Sequence, residues 1–265
     1  MIKLFILFMF VFQVAKSEVY YVTFVKGNVK LLGAKTNLIV GDKLADNDQL
    51  VFADQNSKLS CISPVKGRFD ILGSSAKKKV QMEWVAILKD VLLPASSKTQ
   101  LSTRSMEDET ADPAKIFKSP NADNKVILIE DDLMVIDPKY VLDERHFFFL
   151  QYTVKGKIIL KMVPSEGGRI SFNSLLFVDE IGLSLLPEDI GTVSLCYQEA
   201  GRSKELVKFI PVIISSPEFT KQLHVLRTNL SRKNKDEIKR EIYNHFINNY
   251  GFINAGLLQK IMKDI

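Results

Sequence analysis

Cysteine, tryptophan and histidine are scarce in this chain, which has two, one and three of them in 265 residues. Two cysteines cannot build the disulfide framework that staples small secreted domains. The three histidines, His146, His224 and His245, share no His-x-x-x-His spacing. No single helix therefore offers a ready pair of metal ligands. No glycine run forms a phosphate-cradling loop, and no serine sits in a Gly-x-Ser-x-Gly elbow. A strong charge of one sign is missing too. The 36 basic and 31 acidic residues leave a formal charge of +5. That excess is too small and too dispersed to mark a nucleic-acid surface. These absences leave no recognisable catalytic, cofactor or metal site, and the expectation is a protein that is not an enzyme.

What is present begins at the amino terminus. Lys3 supplies a short positive region, and Leu4 to Val14 is an apolar run broken only by Gln13. Ala15-Lys16-Ser17 then places small residues at the −3 and −1 positions before Glu18. That order is a secretory signal, and the run is about half the ~20 residues a membrane-spanning helix needs. Residues 1–17 are expected to be removed on export, with no membrane span afterwards. No cysteine stands near the cleavage point, which argues against a lipid anchor. Apolar residues make up 46% of the chain, enough to exclude global disorder.

Residues 19–72 read as short strands with turns. Val19–Val25, Val29–Leu32, Leu38–Val40, Leu50–Phe52, Leu59–Ile62 and Phe69–Leu72 carry the β-branched, apolar pattern. Gly27 and Gly41 permit tight turns, and Asp42 and Asp48 can bond their own backbones there. The runs Val25-Lys26-Gly27-Asn28-Val29, Leu38-Ile39-Val40-Gly41-Asp42-Lys43-Leu44, Asp48-Gln49-Leu50-Val51 and Ser57-Lys58-Leu59 resemble the start of a FecR-like domain. The resemblance covers roughly a fifth of the chain, on common β and turn residues. It implies an all-β unit that senses or binds in a bacterial envelope through protein contacts. The chain departs from the full sensor pattern, having no segment that could hold a sigma factor and no retained membrane helix.

Residues 73–83 are polar and basic, with Lys77, Lys78 and Lys79. Glu83–Leu93 predicts a short amphipathic helix stopped by Pro94, with Trp84, Ile87, Val91 and Leu92 near one face. Trp84 fits a core position better than a ligand-stacking one. Residues 104–124 carry charge, Pro and small residues and read as a linker.

Strands return from Val126. Phe147–Tyr152 and Lys157–Val163 predict a hairpin turning at Lys155-Gly156. Val193–Tyr197 and Leu206–Ile214 predict a second one around Gly201. Pro211 suggests an edge strand or a bulge. A β-sandwich over 125–215 is the economical reading. Residues 216–265 switch to helical period. Ser216 is the expected N-cap of a stripe of Phe219, Leu223, Leu226 and Leu230. Asn234 with Glu237 opens a second stripe of Ile238, Ile242, Phe246 and Tyr250, ended by Gly251. Asn254 opens a third short helix.

The expected fold is therefore mainly β: a small FecR-like unit over 18–103, a linker, a sandwich and a short helical tail. The bland alternatives outweigh chemistry at each polar cluster. Glu130-Asp131-Asp132 matches no calcium loop and reads as a solvated turn, as do Asp42, Asp46 and Asp48. The histidines read as surface or helix-flank residues. Arg232 to Arg240 is interleaved with Asp236 and Glu237 and reads as a solvated helix face. Cys61 and Cys196 each lie in a strand-like run and read as buried small apolar residues, although export permits a disulfide. The functional expectation is an exported, non-enzymatic envelope protein that binds a protein partner or a glycan, with periplasmic or extracellular location. An accessory sensor is one alternative. A hydrolase with carboxylates assembled from distant positions is another. The helical stripes would also suit an oligomer contact.

Overall fold

The structure is a computed structural model that describes residues 18–76, 112–120, 122–185 and 187–253. It is mainly β, as the pattern of short apolar runs implies. The chain divides into two compact units. The first holds the described residues up to Lys66 and from Asp70 to Ala76. The second takes Gly67–Phe69 and the described chain from Asp112 onward. The expected helix over Glu83–Leu93, with Trp84, and the basic Lys77–Lys79 lie outside the described residues, as does the helix expected from Asn254. Among the described residues, no helix is long and apolar enough to cross a membrane.

The first unit is built on β1 (Val19–Lys26), β2 (Val29–Leu31), β3 (Lys43–Ala45), β4 (Leu50–Phe52), β5 (Lys58–Ser63) and the last three residues of β6 (Gly67–Leu72). Four strands form a sheet in the order β3-β1-β5-β6, and β2 pairs with β4 alone. A register shift between Val22 and Phe24 bulges β1 against β5. The alternating apolar residues fill the interior: Tyr20, Val22, Leu44, Leu59, Ile62 and Ile71 are all buried. Leu38–Val40 is not a strand, contrary to its sequence pattern. It runs as an extended loop that Leu38 N ties to Val29 O at 2.7 Å and Gly41 N ties to Val22 O at 2.8 Å. The strand falls instead on Lys43–Ala45, where the chain can pair with β1. Asp42 and Asp48 accept hydrogen bonds from the backbone of Ile39 and Ala45, both at 2.8 Å. They shape the turns on either side.

The second unit has a five-stranded sheet in the order β10-β9-β13-β14-β7. The strands are β7 (Lys125–Ile129), β9 (His146–Val154), β10 (Lys157–Met162), β13 (Val193–Glu199) and β14 (Arg202–Ile214). A small sheet, β11 (Ser165–Glu166), β12 (Arg169–Ile170) and β8 (Met134–Val135), lies with the loop 172–178 over one of its faces. Phe148, Leu150, Tyr152, Leu195 and Phe209 from the large sheet meet Ile136, Ile170, Phe172 and Phe177 from this cover in one apolar core. The Tyr152 hydroxyl is buried with them and bonds the carbonyls of Leu176 and Val178, both at 2.8 Å.

Both long hairpins turn where the sequence placed them. Lys155 and Gly156 have φ of 50° and 81°, and Ala200 and Gly201 have 45° and 88°. Two consecutive positive φ values are the I′ geometry whose twist suits a two-residue hairpin. Pro211 lies in an inner strand, yet in a stretch that is locally an edge. The β13 pairing ends at Phe209, and residues 210–214 pair only with β7, in parallel. Ile210 N donates to Asn124 O at 2.9 Å. The Pro211 nitrogen therefore points to the side that β13 has left, and its missing N–H costs nothing.

Two features depart from the sequence reading. Residues 112–117, read as linker, are anchored in this unit. Asp112 caps the helical turn α1 (Pro113–Ile116) through Ala114 N at 3.0 Å and takes Lys139 Nζ at 2.6 Å. Phe117 then stacks on Phe209 at 5.1 Å, fully buried. The Asp112 contacts and the buried Phe117 ring together pin the segment. Further on, α2 (Ser216–Leu230) is capped by Ser215 rather than Ser216. The cap of α3 (Lys235–Asn249) is Asn234, whose side chain accepts from Glu237 N at 2.9 Å. Phe219 and Phe246 join the two helices with ring centroids 4.8 Å apart.

Candidate functional site

Titratable clusters are the first place to look for chemistry, and the first unit has one. Glu18, just before β1, meets Ser63 at the end of β5 and Lys66 in the turn beyond it. Lys66 Nζ lies 2.6 Å from Glu18 Oε2 and donates to the Tyr20 hydroxyl at 2.8 Å. The Ser63 hydroxyl donates to Glu18 Oε1. The hydrogen bond to Glu18, and then that to Tyr20, raises the Lys66 ammonium above its ordinary value. Burial raises Tyr20 against the opposing effect of Lys66. The cluster ties the residue that enters β1 to the end of β5 and the turn after it.

The helical region has a second polar network. His245 Nε2 is 3.0 Å from Gln222 Oε1, and Asn249 Nδ2 is 3.3 Å from His245 Nδ1. Gln222 Nε2 also reaches Glu218 Oε1 at 3.1 Å and the Tyr250 hydroxyl. His245 and Gln222 are fully buried. His245 is thus an interior residue joining α2 to α3, not the helix-flank histidine expected. Buried polar groups satisfied in this way fix one helix register.

The remaining sequence candidates are dispersed. His146 pairs with Asp143 at 2.8 Å, and His224 is exposed on α2. Glu130 accepts from Ser174 N at 3.2 Å, and Asp131 turns the chain with φ of 59°. Among the described residues no three His, Cys, Asp or Glu side chains gather into a metal-binding group. Cys61 and Cys196 are buried free thiols, one in each unit's main sheet. Burial raises both thiols above their ordinary value, which leaves them poor nucleophiles.

A surface stands out more than any of these clusters. β10 is one edge of the five-stranded sheet. Its Ile158, Leu160 and Met162 point to one face and are 65%, 60% and 63% exposed. They stand beside Thr153, Gln151 and Phe149 of β9 in register. Phe149 and Phe147 are half-buried and in ring contact at 6.3 Å. The alternate residues Ile159 and Val163 face the core. From His146 to Val163 the hairpin contains Lys155, Lys157 and Lys161 and no acid. One of these, Lys157, is paired with Glu180 at 2.7 Å. That ion pair ties the 179–183 loop, with exposed Ile181 and Leu183, to the start of β10. Among the described residues no strand pairs with the outer backbone of β10, and such an edge beside an apolar stripe and surplus positive charge is a strand-addition surface in physical terms. The helical stripes differ: Phe219, Leu223, Leu226, Leu230, Ile238, Ile242 and Phe246 are all buried within the chain.

No family model matches the chain, and no curated protein or solved structure does either.

Proposed function

We propose that this is an exported, non-enzymatic envelope protein that binds an extended segment of a partner protein along β10. The observation that carries this reading is the exposed Ile158–Leu160–Met162 stripe on an edge strand. Main-chain hydrogen bonds would supply affinity, and the alternate side chains specificity. The lysines of the hairpin select a segment in which acidic and apolar residues alternate. Export draws its support from the secretory pattern of residues 1–17.

The test is a ten-residue probe peptide alternating Val and Glu, titrated against residues 18–265 by fluorescence anisotropy. Binding is expected, weakened about tenfold by Leu160→Asp, since a charge replaces a buried apolar contact. No binding, or binding indifferent to Leu160→Asp, sinks the reading. Binding of an envelope oligosaccharide in place of the peptide would turn it toward a glycan.

A FecR-like accessory sensor is the second reading. It draws on the first unit, where the resembling positions Val29, Leu38, Leu44 and Leu59 are buried as core residues.

A further inference from the structure

Glu18 is the first described residue, and its carboxylate and its backbone nitrogen are both engaged. Its carboxylate is held by Ser63 and Lys66. Its backbone nitrogen donates to Asp46 Oδ2 at 3.2 Å. The pairing of β1 with β3 dictates that meeting: Val19 opposes Ala45, so residue 18 opposes residue 46. One atom in this arrangement is left over. Asp46 Oδ1 is buried and has no hydrogen-bond partner among the described residues. An amide carries one proton and no charge, so it satisfies only one carboxylate oxygen. Leaving a charged acceptor half-satisfied is costly.

We propose that hydrolysis of the Ser17–Glu18 bond completes this site, and that the new Glu18 ammonium docks on Asp46. The proposal rests on the export reading, which supplies a signal peptidase as catalyst and water as co-reactant. Water adds across the amide and the C–N bond breaks. Ser17 leaves as a carboxylate, and the Glu18 nitrogen takes up protons to become an ammonium. That group has three donors and a positive charge where a single amide proton stood before. It can reach Oδ1 as well as Oδ2 and neutralise the Asp46 charge. Ala15 and Ser17 are small, as the peptidase requires, and the first bond of the fold begins one residue later. Processing and folding therefore share one position. The leader's removal creates an ion pair in the first unit instead of merely trimming a tail.

The experiment compares residues 18–265 released with a free Glu18 terminus and the same chain carrying one extra Gly before Glu18. Urea unfolding and hydrogen exchange of the Ala45–Asp48 amides report on the site. The free form is expected to unfold with an equilibrium constant about tenfold smaller, from one charge-assisted contact at a buried acceptor. Asp46→Asn should erase the difference between the two forms while both still fold. Equal stability of the free and extended forms overturns the docking, as does a difference that survives Asp46→Asn. The full-length chain is separately expressed with its leader in a bacterium, and the exported product is sequenced from its amino terminus. A start at Glu18 supports the assignment. A start elsewhere overturns the position, and a retained leader overturns the export reading and this proposal with it.

Discussion

The five-stranded sheet has two edges, and they are treated in opposite ways. At β7 the edge is closed. Chain that has left α3 lies along it, with Phe252 N donating to Lys125 O at 2.8 Å and Ile127 N donating to Phe252 O at 2.9 Å. Val126 and Leu128 belong to the apolar core of the unit, and Ile127 is buried as well. At β10 nothing in the described chain pairs with the outer side, and the stripe of Ile158, Leu160 and Met162 is open. Proteins protect an edge unless it serves as a surface. The same chain closes one edge with its own backbone and leaves the other with apolar side chains outward, which is why the proposed binding is assigned to β10.

Three substitutions would break or sharpen this contrast. The largest effect is expected at Gly251, where the chain bends to reach β7. Its φ is +130°, and an added Cβ would stand 2.6 Å from Lys125 Cβ and 2.9 Å from Lys125 O. Gly251→Ala should cost about 3 kcal/mol, because a strained backbone and a clash with a backbone atom add together. Urea denaturation measures the loss, and hydrogen exchange should show it concentrated on β7.

Next comes Asp112, which pins the segment leading into β7. Burial alone would raise its carboxyl, but hydrogen bonds from Lys139, Ala114 and Tyr140 hold it below its ordinary value of 3.8. A depressed folded value stabilises the fold above the unfolded value, and the contribution is lost as pH falls through the folded one. Asp112→Ala should cost about 1–2 kcal/mol at pH 7, the range of a lost N-cap. The wild type should converge on the variant below pH 3.8, measured by denaturation at a series of pH values. The smallest effect is expected on the open edge. Leu160→Lys should change stability by less than about 0.5 kcal/mol, as for an exposed residue. A thermal melt that falls well beyond that would mean that the stripe is already covered in the protein itself.

Much of this architecture is legible locally. The two hairpins announce themselves by Lys155-Gly156 and Ala200-Gly201 between β-branched runs, since only a few residues accept two positive φ values in succession. The helical stripes are legible for the same reason: every fourth apolar residue on α2 and α3 turned inward. Other elements hide because their cause is distant. Leu38–Val40 has the composition of a strand, but pairing is decided by what lies opposite, and β1 pairs with Lys43–Ala45. Phe117 sits among Asp, Pro and Lys, and only the ring of Phe209 shows that it is core. Lys66 and Glu18 meet through the strand arrangement of the first unit, with no local signal to join them. The open stripe is the subtlest case. In Lys157–Val163 the alternation points the wrong way: Ile158, Leu160 and Met162 form the wholly apolar face yet are exposed, while Ile159 and Val163, which share their face with Lys157 and Lys161, are buried.

The parallel pairing of β7 with β14 also sets an order in time. A chain emerges from its amino-terminal end, whether from a ribosome or through a membrane pore. Each hairpin has its partner strand at hand within a few residues, and such local pairings close fast. β7 emerges among the first strands of its unit, yet the residues it pairs with, Ile210–Ile214, arrive after both hairpins are complete. The Phe252 segment that seals its other side comes later still. The most thoroughly buried edge of the finished sheet is therefore the strand that waits longest with its Val126–Ile129 run uncovered.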